Sequence, residues 1–68
     1  MIAKYFLVTN RTEDGRFLAV MTEGHPRKAK NVTVLTLETF EGTDAEAQAA
    51  ADGWFQRMLV ERPWEPRQ

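Results

Sequence analysis

Residues 38–55 read ETFEGTDAEAQAAADGWF, and the fold turns on this stretch. Up to Phe40 the sequence alternates as a strand does. From Thr43 onward it is written as a helix start. Thr43, with Glu46 three residues on, forms a capping box, in which hydroxyl and carboxylate each satisfy a backbone N–H of the other. Asp44 and Glu46 suit the positive end of the helix dipole. The alanines that follow are the strongest helix formers. The spacing predicts a helix from about Asp44 to about Val60. Pro63 stops it and pushes Arg62 toward extended geometry. On a helical wheel Ala47, Ala50, Ala51, Trp54, Phe55, Met58 and Leu59 share one face, small at its start and bulky at its end. Glu46, Gln48, Asp52 and Gln56 lie opposite, and Gly53 falls on the polar flank.

Upstream of this junction three segments read as strands, from Ala3 to Asn10, from Arg16 to Thr22 and from Val32 to Phe40. Each is rich in aromatic and β-branched residues. Asp14-Gly15 supplies the positive-φ turn chemistry of a hairpin between the first two. Gly24 and Pro26 break the chain between the second and third. The expected architecture is α+β: a three-stranded antiparallel meander, then one C-terminal helix packed on one sheet face, then a short tail with Trp64 between Pro63 and Pro66. The 68 residues form one domain, 1–68.

Strand side chains alternate between faces. One face is expected to collect Tyr5, Leu7, Phe17, Ala19, Met21, Leu35 and Leu37. The other is expected to collect Phe6, Val8, Leu18, Val20, Val32, Val34 and Phe40. Both sets are largely apolar, whereas a half-solvated antiparallel sheet normally shows polar residues on its outer face. One helix covers one face. The second face, with Phe6, Val8, Leu18, Val20 and Val34, is therefore a candidate interface for a partner protein or a second copy of the chain. The tail, folding Trp64 over that face, is the alternative cover.

The net charge is −1, from nine basic and ten acidic residues, which gives no global argument for nucleic acid. The charges are nevertheless unevenly placed. In a meander with a returning helix, Lys4, Arg27, Lys28, Lys30, Arg57, Arg62 and Arg67 share one end with Glu23, Glu61 and Glu65, a balance of +4. The remainder, Arg11 and Arg16 against Glu13, Asp14, Glu38, Glu41, Asp44, Glu46 and Asp52, carries −5. Trp64 lies at the basic end. Arg27, Lys28, Lys30, Arg57, Arg62 and Trp64 are thus a candidate binding set for an acidic protein surface or for phosphates and a stacked base. The plainer reading is that acids and bases at opposite helix ends complement its dipole and that Trp64 closes the core.

There is no cysteine and one histidine, so disulfides and thiolate metal sites are excluded and no cofactor is expected. No nucleophile stands beside a base, no glycine-rich phosphate loop occurs, and His25 reads as a turn residue before Pro26. The sequence predicts no enzyme. No apolar run approaches the roughly 20 residues of a membrane helix, no secretory signal is read at the start, and the expected location is cytoplasmic.

The meander followed by ETFEGTDAEAQAAA resembles the small arm-type DNA-binding domain of phage integrases. That resemblance implies nucleic-acid binding, although those domains are usually basic. In size and layout the chain is also similar to small phage-encoded accessory proteins, some anti-CRISPR inhibitors among them, which implies an inhibitor or adaptor acting by protein contact. Protein binding is the leading expectation. Nucleic-acid binding and a ligand-free homodimer are the alternatives.

Overall fold

A computed structural model of the chain describes residues 4–28 and 30–65. The order is β1 (Tyr5–Arg11), β2 (Phe17–Glu23), β3 (Thr33–Phe40) and α1 (Asp44–Glu61). The strands form one antiparallel sheet with β2 in the centre. This is the expected α+β meander with its C-terminal helix. The parts of the sequence-based expectations that involve Ala3, Pro66 and Arg67 lie outside the described residues.

The β1–β2 hairpin closes as its turn chemistry requires. Gly15 has φ +85°, a conformation that costs a residue without Cβ nothing. Around it Thr12 binds both the Asp14 carboxylate and the backbone of Arg16. The Thr12 hydroxyl, chiefly, holds the Asp14 carboxyl below its usual range.

Cross-strand pairs fix which side chains share a face. Tyr5, Leu7, Thr9 and Arg11 pair with Glu23, Met21, Ala19 and Phe17, and continue to Thr33, Thr36, Glu38 and Phe40. Phe17, Ala19 and Met21 from this face enter the core with Ala47, Ala51, Trp54 and Met58 of α1. Met21 is the largest fully buried side chain. The helix starts small, with Ala47 and Ala51 wholly buried, and so lies close to the sheet. Its bulk comes later, where the Trp54 ring meets Phe40 edge-on at 6.0 Å.

Two expectations about faces need correction. Phe40 belongs to the helix-covered face and Leu37 to the other, because Phe40 pairs with Phe17 and Leu37 with Val20. A bulge also shifts the β3 register: Met21 pairs with Thr36 but Thr22 with Val34. The extra residue, Leu35, reverses the alternation. Val34 and Leu37, three apart, therefore lie on the same face. On the helix, Ala50 is exposed. It stands about 70° from the centre of the buried stripe and is too short to reach the sheet, whereas Phe55 on the opposite flank is long enough to pack against the core.

The helix start is the capping box read from the sequence. The Glu46 backbone N–H donates to the Thr43 hydroxyl at 3.2 Å, and the Thr43 N–H donates to the Glu46 carboxylate at 3.1 Å. The Thr43 backbone N–H, then its hydroxyl, hold the Glu46 carboxyl below its ordinary value. The helix ends at Arg62, which adopts a left-handed conformation with φ 46° rather than the extended one expected before proline. The capping bond explains the difference, since the Arg62 N–H reaches the Met58 carbonyl at 2.8 Å.

Candidate functional site: an open sheet face between two charged ends

The sheet face away from α1 consists of three cross-strand rows. They are Asn10–Leu18–Thr39, Val8–Val20–Leu37 and Phe6–Thr22–Val34. The expected interface residues Phe6, Val8, Leu18, Val20 and Val34 all lie here, and Leu37 joins them through the β3 register. Phe6, Val8, Leu18 and Val20 are half-buried by their neighbours, while Val34 and Leu37 are each 57% exposed. None of the nine side chains in these rows is ionisable. Thr22 is buried, its hydroxyl donating to the Gly24 carbonyl at 3.2 Å, and no described helix or strand covers the other eight. His25 borders the face, its ring edge-on to Phe6 at 5.0 Å. Its Nδ1 accepts the Arg27 backbone N–H at 3.1 Å, which leaves the neutral ring's proton on Nε2.

The described part of the tail, residues 62–65, does not cover this face. Trp64 packs at the helix-covered side, its ring tilted at 5.6 Å from Tyr5, and it is half-buried. The Tyr5 hydroxyl donates to Glu65 at 3.1 Å, and the Arg62 guanidinium lies 5.4 Å from the centre of the Tyr5 ring. Arg62 also pairs with Glu65 at 3.5 Å. The tail is thus tied to the first residue of β1 by a tilted aromatic contact, a cation–π contact and hydrogen bonding. Trp64 Nε1 is buried without a hydrogen-bond partner among the described residues.

The structure divides the predicted basic set. Arg62 and Trp64 are engaged with Tyr5 and the core. Arg27, Lys28 and Lys30, in the loop joining β2 to β3, and Arg57 on the helix are exposed and make no ion pair among the described residues. Lys4 pairs with Glu23 at 3.1 Å. The hydrogen bond to Glu23, then its charge, raise the Lys4 pKa.

The opposite end gathers the β1–β2 hairpin, the β3–α1 junction and the helix start. Arg11 ties them together: its guanidinium donates to the Gly15 carbonyl, to the Gly42 carbonyl and to the Asp44 carboxylate. Asp44 pairs with Arg11 and Asp14 with Arg16, while Glu13 in the hairpin and Glu41 at the junction are exposed and make no ion pair among the described residues. The acids therefore lie beyond one end of the sheet and the loop of Arg27, Lys28 and Lys30 beyond the other.

No helix among the described residues is long and apolar enough to cross a membrane. In comparisons with protein-family models, with curated proteins and with solved structures, none matches this chain.

Proposed function

We propose that this chain is a non-catalytic protein-binding module, working in the cytoplasm through the sheet face opposite α1. The observation that carries the proposal is the row Val8–Val20–Leu37. It runs across the middle of a face that no helix or strand covers among the described residues, with Leu37 more than half exposed. An antiparallel sheet that met only water here would carry polar residues at these positions. An adaptor, or an inhibitor that acts by occupying a partner's surface, fits this chemistry. It needs a contact face and no pocket.

The test is a binding comparison from extract of the native host. The bait proteins are wild type, Val20→Lys, and Arg27→Glu/Lys28→Glu. The proposal expects a protein captured by wild type and lost with Val20→Lys, with the loop variant weakening capture at most. Capture lost only with the loop variant would overturn it.

A second reading, nucleic-acid binding through Arg27, Lys28, Lys30 and Arg57, draws on the exposure of these four bases. Its signature is a steep fall of affinity with salt, because bound phosphates release counterions. Trp64 is half-buried, its ring tilted against Tyr5, and so is not freely presented to a base in this arrangement.

A further inference from the structure

The open face has an uncharged centre and charged ends of opposite sign, and this pattern complements itself. Resting on the reading of that face as a contact surface, we infer that its occupant is a second copy of this chain. The two sheets pack face to face about a two-fold axis that runs across the strands.

A two-fold contact sets the same patch on both partners, so any charge at its centre meets its own kind. The nine positions of the open rows carry none. The ends then select the orientation. An axis along the strands would lay the Arg27–Lys28 loop of one copy on the same loop of the other, and acidic hairpin on acidic hairpin. An axis across the strands reverses one copy end for end. Each Arg27–Lys28 loop then meets the acids around Glu13 and Glu41 of the other copy, and the contact occurs twice. An unrelated partner would need its own matching charge pattern, whereas a second copy has one already.

The area is sufficient for a reversible dimer. Three strands about 4.8 Å apart, each of roughly seven residues at about 3.3 Å, give a flat patch of roughly 300 Å². Side-chain relief raises the accessible area to about 500 Å² a copy, so the pair buries about 1,000 Å², the low end for specific interfaces. The sheets would then lie about 10 Å apart, with α1 of each copy on the outside. Each sheet thereby gains the second apolar layer that it lacks alone.

Sedimentation velocity over a concentration series, at low salt, tests this with four proteins besides wild type. Arg27→Glu/Lys28→Glu reverses the loop. Glu13→Lys/Glu41→Lys reverses the acidic end. A third chain carries all four changes, and the fourth is Val20→Lys. All four charged side chains are exposed and make no hydrogen bond or ion pair among the described residues, so unchanged circular dichroism is expected. Wild type should dimerise reversibly. Each double reversal should weaken dimerisation about tenfold, as four modest surface pairs change sign. The fourfold variant should recover it, and Val20→Lys should abolish it. A wild type that stays monomeric at high-micromolar concentration overturns the second copy as occupant. If Val20→Lys still abolishes capture from host extract in that case, the contact face itself stands. A wild-type dimer lost in Val20→Lys but indifferent to the reversals overturns the orientation. A dimer that survives Val20→Lys places self-association on another surface and overturns the inference.

Discussion

Val20 and Met21 are neighbours on the central strand and point to opposite faces, so truncating each in turn measures what each face contributes to the monomer. Met21 is wholly buried within the cluster of Ala47, Ala51, Trp54 and Met58. Met21→Ala removes roughly three methylene-sized groups, at about 0.8 kcal/mol each. The cavity adds to this, since Ala47 and Ala51 cannot extend to fill it, and the total is about 3 kcal/mol. Val20→Ala removes two methyl groups that are already partly in water, and about 1 kcal/mol is expected. A chain of this size has about 3–10 kcal/mol of stability to lose. The first change therefore threatens folding and the second does not. Urea titration followed by Trp fluorescence, below micromolar concentration so that association does not contribute, gives both values. Equal losses, or a larger one for Val20→Ala, would mean that the helix does not distinguish the two faces, and the assignment of the open face would be wrong.

Thr43→Ala should cost about 1 kcal/mol by removing the cap. The carboxyl of Glu46 is held below its usual value, so its contribution is complete above the ordinary carboxylate range and is lost as the pH falls through the lowered one. Acid titration of wild type against Glu46→Gln should show that loss in wild type only. Gly53 has an ordinary helical backbone, and nothing lies within 4 Å of where a Cβ would stand. Gly53→Ala should raise the denaturation midpoint by the equivalent of up to about 1 kcal/mol, and an unchanged or lower midpoint would contradict the exposed placement. Trp64→Ala should cost about 1–2 kcal/mol in lost packing on Tyr5. Trp64→Phe keeps an aromatic ring there and removes the unpartnered N–H, whose burial is costly, so it should stay within about 1 kcal/mol of wild type. Denaturant midpoints of the two variants decide this, and equal losses would refute it.

Local chemistry made most of the fold legible. Thr43 and Glu46 announced the helix start, Asp14-Gly15 the first hairpin, and Gly24 with Pro26 the second connection. The alanines at 47 and 51 indicated close packing at the helix start. What the sequence concealed was the register of β3. A bulge at Leu35 leaves no local signature, because it depends on how two strands settle against each other. The placement of Leu37 and Phe40 was lost with it. The left-handed Arg62 was hidden for a similar reason, since the preference of a residue before proline was overridden by a capping bond to Met58. Of the candidate contact residues, the apolar set on β1 and β2 was readable from alternation alone. The separation of Arg62 and Trp64 from the exposed Arg27, Lys28 and Lys30 was not, because it follows from the packing of the tail against Tyr5, remote in sequence.

The central claim, that the face opposite α1 is where this protein makes contact, is tested most directly by methyl NMR spectra from micromolar to millimolar concentration. The account predicts concentration-dependent shifts at Val8, Leu18, Val20, Val34 and Leu37, with Met21, Met58 and Leu59 on the helix side unmoved. Shifts confined to the helix-side methyls would contradict it, and spectra that do not change over the whole range would overturn the second copy as the occupant of this face.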